Sequence, residues 1–302
     1  MQENINFDAI IIGGSYAGLS AAMALGRSLR RALIIDSGMP CNRYTPHSHN
    51  FITQDGNTPS EIAALAKAQV LQYETIDFLH DTATSGKKIE QGFEIRTGCN
   101  HVFHARKIIV ATGIKDTFPN IKEFDACWGK SVIHCPYCHG YEFRDKKTAI
   151  LASAEKAIHL AGLVNNLTAD LTLISSKESD FSEEHKSKLN QHNIRLLTKE
   201  VQEIIHQNGQ INALLFSDGT VENFEAVYAA VPFIQHSTIP EQLGCVLNET
   251  GYLQTNSFQE TSVEGIFAAG DCAGMMRSVA YAVSTGNIAG AMLNHQLVQE
   301  EF

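Results

Sequence analysis

The chain has 302 residues, 44% hydrophobic and 19% charged, with a formal net charge of -10. That length allows two domains with ample core, and the composition is ordinary for a globular protein. The acidic balance argues against nucleic acid, which needs concentrated Lys and Arg, and no apolar run approaches a bilayer span. The N-terminus, Met1 to Phe7, lacks a basic region followed by an apolar run, so no secretory leader is expected. Seven cysteines without framework spacing suit a reducing compartment, and the expected location is the cytoplasm.

In chain order, Phe7-Asp8-Ala9-Ile10-Ile11-Ile12 reads as an apolar strand running into Gly13-Gly14-Ser15-Tyr16-Ala17-Gly18 and then a helix from Leu19. Strand, glycine turn and helix are the context of a dinucleotide fingerprint. A pyrophosphate is expected on the helix N-terminus, with Gly13 making the turn and Gly18 letting helix and strand approach. Ser15 stands where G-x-G-x-x-G has its middle glycine, which crowds the phosphate slightly. The next strand, Ala32 to Ile35, ends at Asp36, near the spacing of an acid that binds a ribose hydroxyl.

Residues 38–50 hold turn residues and polar groups densely. Asn42 and Arg43 are candidates for phosphate or ribose, and His49 for the edge of a ring system; a plain surface loop is the alternative. Thr58-Pro59-Ser60-Glu61 reads as a capping box opening an amphipathic helix with Ile62, Leu65, Ala66, Val70 and Tyr73 on its core face. Residues 93–97 and 101–105 alternate as a hairpin, with His101 and His104 as ordinary strand histidines. Lys107 to Val110 is expected as a buried strand ending in the small turn Ala111-Thr112-Gly113, which lets backbone approach a ligand.

Near the middle comes His134-Cys135-Pro136-Tyr137-Cys138-His139. If the turn opens a helix, Cys135 takes its N-terminal end and Pro136 the first helical position. Helix-end N–H groups favour a thiolate there. His134 and His139 are candidate proton carriers near neutral pH, although His134, ending a strand, is equally read as packed. C-x-x-C is also half of a zinc site or a pair of structural thiols, and C-P-Y-C occurs in small glutaredoxins. The other cysteines form no second pair, so dithiol–disulfide chemistry is preferred and no metal is expected. Late in the chain, Gly265-Ile266-Phe267-Ala268-Ala269-Gly270-Asp271 brings Asp271 to the carboxyl edge of a sheet.

These four motifs, in this order, resemble the low-molecular-weight thioredoxin-reductase-type flavoproteins over nearly the whole chain. C-P-Y-C-H-G-Y-E after the S-H-N-F-I-T-Q-D-G loop (Ser48 to Gly56) is most similar to the branch that includes dithiol oxidases closing disulfides in small sulfur-containing natural products. The resemblance implies an α/β fold of two Rossmann-like, three-layer ββα nucleotide-binding domains, the second inserted in the first. Residues 1–116 and 240–302 are expected to bind FAD, and 117–239 to form the inserted NADPH-type domain with the C-x-x-C. FAD is expected on Gly13, Ser15, Ala17, Gly18, Asp36 and Ser37, with Ala83 near the adenine and Thr112 and Gly113 at the central turn. Asp271 would meet the ribityl chain, backbone around Val279 would face the isoalloxazine, and Gly270 is a further cofactor-binding candidate. The resemblance makes Cys138 the sulfur next to the flavin and Cys135 the one exchanging with substrate. Arg277 matches the arginine of the reductases' R-Q-A turn, but Ser278 replaces the glutamine. The last helix is small and apolar, and because relatives bury similar surfaces in homodimers the resemblance implies a homodimer.

In the inserted domain, Ala152-Ser153-Ala154-Glu155-Lys156-Ala157 stands where relatives show G-x-G-x-x-A. After the next strand, Ser175-Ser176-Lys177-Glu178-Ser179-Asp180 lacks the arginine pair expected for a 2′-phosphate. The NADPH site is therefore read as lost or weak; a loop holding NADPH by backbone alone is the alternative. Electrons then enter most simply from a substrate dithiol, with oxygen or another carrier as acceptor and His139 accepting thiol protons. The rival is a disulfide reductase acting on thioredoxin or a similar protein with electrons from NADPH or a ferredoxin-like donor. The substrate is a small molecule or a thioredoxin-like protein.

Overall fold

The computed structural model describes residues 7–302; Met1 to Asn6, where no leader is expected, lie outside the described residues. The chain divides into two compact units. The first comprises the described part of Met1–Arg43, with Pro59–Lys115 and Ile234–Phe302; the second comprises Tyr44–Thr58 and Asp116–Phe233. Residues 44–58, numbered with the flavin domain in the sequence reading, thus belong to the second unit.

The first unit is built on a seven-stranded sheet. Ile76–His80, Ala32–Asp36, Phe7–Ile12 and Val102–Val110 lie side by side in parallel, and Ile266–Ala268 joins the last of these, also in parallel. Ala83–Ile89 and Gly92–Thr97 extend the sheet as antiparallel strands. Along Phe7–Ile12, Ala9 and Ile11 enter one core cluster while Ile10 and Ile12 enter another. Successive side chains face opposite sides of the pleat, so burial on both faces gives a continuous apolar run.

Residues 101–110 form one strand from Val102, not the two segments their patterns suggest. Its first half pairs with Gly92–Thr97 and its second with the parallel strands, where Ile108, Ile109 and Val110 are fully buried. The helix Pro59–Val70 buries Ile62 and Val70, but Leu65, assigned to its core face, is exposed and Tyr73 lies beyond its end. The first helix, Tyr16–Arg27, packs along the last, Val279–Glu301. A Cβ on Gly286 would strike the Ala17 carbonyl, which is why this crossing is glycine on one side and alanine on the other.

The second unit has a five-stranded parallel sheet in the order Arg195–Thr198, Leu171–Ser175, Thr148–Leu151, Ala226–Ala229, Val132–Ile133. A three-stranded antiparallel meander, Val201–Gln207, Gln210–Phe216 and Val221–Asn223, accompanies it. Both units therefore have the parallel-sheet, helix-covered construction of nucleotide-binding folds.

Candidate active site

In the first unit the register aligns Ile12 with Ile35 and Val110, and Val110 with Ala268, so the turns after these strands open at one edge of the sheet. Gly13 has φ +107°, and the place of its Cβ is taken by the Ala111 carbonyl. A Cβ on Gly18 would fall on the Gly13 carbonyl. The Gly14 N–H donates to Asp36 Oδ1 at 2.9 Å, which fixes the carboxylate beside the turn. The helix Tyr16–Arg27 starts directly after Ser15 with no acidic residue in its first turn, so no acid of its own competes for its first N–H groups. Thr112 Oγ1 is buried without a hydrogen-bond partner among the described residues. Gly113 and Gly270 both have positive φ, and the Gly270 N–H donates to Thr285 Oγ1 at 3.0 Å. Asp271, half-buried, lies in the single turn Gly270–Cys272, and Val279 opens the last helix behind the capping residue Ser278.

A bare glycine cradle, a fixed acid and an unsatisfied buried hydroxyl fit the phosphates and sugars of a flavin dinucleotide. Ser37 follows Asp36 at the same edge, and half-buried Ala83 starts its strand opposite Thr97. Asn42 donates to the Tyr16 hydroxyl at 3.1 Å, tying its loop to the first helix, and Arg43 donates to the Pro40 carbonyl at 2.9 Å within the loop.

The second centre lies wholly in the second unit. Cys135 and Cys138 form a disulfide with Cα atoms 5.3 Å apart. Pro136–His139 is a single helical turn with Cys135 at its N-cap and Pro136 as its first residue. Cys135 Sγ accepts from the Cys138 N–H at 3.2 Å. With one turn only, this local bond, more than a macrodipole, favours a thiolate on Cys135. The remaining cysteines are unbridged; Cys127, Cys245 and Cys272 are buried, and no group of three or more metal-ligating side chains occurs among the described residues.

His139 lies one turn past Cys135, the spacing that shares a helix face. Both its ring nitrogens are buried without a hydrogen-bond partner among the described residues. Burial pushes its pKa down to about 4, with Glu142 opposing the shift and His49 adding to it. The oxidised centre therefore holds a neutral imidazole at neutral pH. Neutral imidazole is free to accept a proton, but only weakly basic until a nearby anion compensates. His134 follows the strand Val132–Ile133 and stacks on Trp128 with centroids 5.8 Å apart, in keeping with a packed residue.

Asn42 and Arg43 belong to the first unit, whereas His49 belongs to the second. Its Nε2 is 3.5 Å from Glu142 Oε1 and its Nδ1 3.5 Å from Asp55 Oδ2. The Tyr228 hydroxyl abuts Gly140, is buried without a partner among the described residues, and has its pKa raised by burial and then by Glu142. Glu142, Asp55 and Tyr228 escaped the sequence reading. Glu142 stands in the quoted motif three residues after His139, whereas nothing in the sequence singles out Tyr228. Tyr137 and Tyr141 flank the disulfide and are exposed, with the Arg144 guanidinium 4.2 Å above the Tyr141 ring.

The other nucleotide-type turn of this unit, between Thr148–Leu151 and Ala154–Val164, has no residue with positive φ. Glu155 lies in the first turn of its helix, where a pyrophosphate would meet like charge. After Leu171–Ser175, the short turn Glu178–Asp180 carries two acids, and Lys186 pairs with Glu178 at 3.1 Å. These residues fit a dinucleotide phosphate poorly.

A family model described as pyridine nucleotide-disulphide oxidoreductase matches residues 7–286. The chain is 33% identical over 306 residues to the thioredoxin reductase tcpT of Claviceps purpurea, covering 97% of this chain and 95% of that protein. It is 32% identical to the thioredoxin reductase sirT of Leptosphaeria maculans, covering 96% and 94%. A solved oxidoreductase structure from Agrobacterium tumefaciens superposes with a TM-score of 0.92 at 33% identity, covering 97% of this chain and 99% of that one.

Proposed function

Because the chain belongs to the pyridine nucleotide-disulphide oxidoreductase family and is a thioredoxin-reductase-like flavin-dependent thiol–disulfide oxidoreductase, we propose that it works as a dithiol oxidase through Cys135 and Cys138. FAD is held by Gly13, Ser15, Ala17, Gly18, Asp36 and Ser37, with Ala83, Thr112, Gly113, Gly270, Asp271 and backbone near Val279 along its length. Asn42 and Arg43 act by bracing the loop beside it. FAD, when bound, would supply a two-electron acceptor for the reduced cysteine pair, with oxygen or another carrier as the final acceptor.

The chain's own residues perform the exchange. A substrate thiol gives its proton to an imidazole nitrogen of His139, and the resulting thiolate attacks Cys135 Sγ. A substrate–Cys135 bond forms, the Cys135–Cys138 bond breaks, and its electron pair goes to Cys138 Sγ. The second substrate thiol gives its proton to the Cys138 thiolate and attacks the substrate sulfur of the mixed disulfide, releasing a cyclic or linear disulfide and the Cys135 thiolate. His134 packs the motif's entry against Trp128.

The observation that carries this reading is the contrast between the two nucleotide-type turns. One is a glycine cradle with a fixed Asp36; the other lacks positive-φ glycine and carries Glu155 in its place. Poor NADPH binding leaves a thiol as the simplest source of electrons. The test is oxygen uptake driven by a small dithiol, which is expected in the wild type and absent in C138S; uptake that survives in C138S contradicts the proposal. The names of the relatives favour a second reading, a reductase of thioredoxin-like disulfides driven by NADPH or a ferredoxin-like donor. It uses the same sulfurs in reverse. A cytoplasmic homodimer is part of the proposal. Among the described residues, no helix is long and apolar enough to cross a membrane.

A further inference from the structure

A buried histidine that must hold a proton needs a partner for the charge it acquires. His139 has no hydrogen bond to either ring nitrogen among the described residues. Its helical turn continues through Gly140, itself in helical conformation, into the single turn Tyr141–Phe143. That continuation sets Glu142 three residues beyond His139, where side chains of a helical segment are neighbours.

Glu142 is also the end of a row. Its carboxylate lies 3.5 Å from His49 Nε2, and His49 Nδ1 lies 3.5 Å from the Asp55 carboxylate. Asp55 in turn accepts from the Asn50 N–H at 2.7 Å. The loop that carries His49 and Asp55 is closed by the Ser48 N–H donating to the Asn57 carbonyl at 2.8 Å and the Gly56 N–H donating to the Ser48 carbonyl at 2.9 Å. A pinned loop therefore holds a carboxylate–imidazole–carboxylate row against the segment that follows the disulfide.

We propose that Glu142 is a positioning residue of the dithiol centre: its carboxylate is the fixed anion that offsets part of the cost of placing the substrate proton on the buried His139 imidazole, and His49, braced by Asp55, moderates that charge. The inference rests on the dithiol-exchange reading of Cys135 and Cys138.

The physical need is plain. An imidazolium removed from water is unfavourable unless an anion lies close by. The ionisable groups acting on His139 are Glu142, from its own segment, and His49, from the loop 44–58; they act in opposite senses. Tyr228, on the strand Ala226–Ala229, senses Glu142 as well and keeps its proton. Removing the Glu142 charge therefore makes His139 a poorer proton holder, and removing His49 makes it a better one.

The test follows anaerobic reduction of Cys135–Cys138 by dithiothreitol in the holoenzyme, read by thiol alkylation and mass spectrometry across a pH series. E142Q should slow reduction on the order of tenfold near neutral pH and move the His139 limb of the profile by about one pH unit downward. E142D should restore most of the rate, and H49Q should move the limb upward. If E142Q does not fold, the upward displacement in H49Q carries the test alone. Profiles for E142Q or H49Q that superimpose on the wild type, with H139A impaired, overturn the role of Glu142. If H139A itself matches the wild type, the fault lies instead in the exchange reading, and the role of Glu142 falls with it.

Discussion

His49 Nε2 lies 3.5 Å from Glu142 Oε1, so a loop from early in the chain is tied to the turn that follows the C-x-x-C. Both residues act on the ring of His139, and the burial of that ring makes the second unit sensitive to acid in a defined window. The folded pKa of His139 is about 4 against an ordinary 6.5. Between those values the unfolded chain binds a proton that the folded chain does not, so stability falls as pH drops through the window and the loss levels off below about 4. The expected loss is at most a few kcal/mol. Denaturation midpoints of wild type and H139L at pH 7 and 4.5 check this. The wild type should lose more on acidification; equal losses contradict the assignment.

The two sulfurs should differ in reactivity. Cys135 Sγ accepts the Cys138 N–H at 3.2 Å, a bond that stabilises its thiolate. C138S should therefore take up an aromatic disulfide reagent rapidly as a stable mixed disulfide at Cys135, whereas C135S should react at Cys138 several-fold more slowly. Peptide mapping by mass spectrometry locates the adduct. Faster reaction at Cys138 would reverse the assignment of the exchanging sulfur.

Flavin retention should depend on Asp36. Its carboxylate accepts the Gly14 N–H at 2.9 Å, and D36A removes both that bond and the acid proposed to meet the ribose. Loss of a charge-assisted hydrogen bond of roughly 1.5–3 kcal/mol corresponds to about a ten- to hundredfold fall in FAD affinity. The ratio of flavin to protein absorbance after gel filtration measures it. Full retention in D36A would place the ribose elsewhere.

Much of this architecture was legible because strand, turn and helix each leave a local mark. The apolar run Phe7 to Ile12, the Gly13–Gly18 turn and the placing of Asp36 all recur in the structure, and Pro136 after Cys135 marked the helical turn correctly. Long-range pairing left no such mark. One strand with different partners along its two halves read as two segments, because Val102 to Ala105 alternates while Ile108 to Val110 is buried on both faces. His49 read as a companion of Asn42 and Arg43 because they are near in sequence, yet residues 44–58 fold with the second unit. The depressed basicity of His139 was equally hidden, since it comes from burial among residues remote in sequence.

The central claim, that thiols and not reduced pyridine nucleotide supply the electrons, is tested most directly by anaerobic titration of the flavin with dithiothreitol, reduced thioredoxin, NADPH and NADH side by side. The account predicts bleaching of the yellow flavin by a dithiol at stoichiometric addition, with NADPH and NADH leaving it oxidised over the same interval. Rapid bleaching by NADPH, with the dithiol inert, would contradict it.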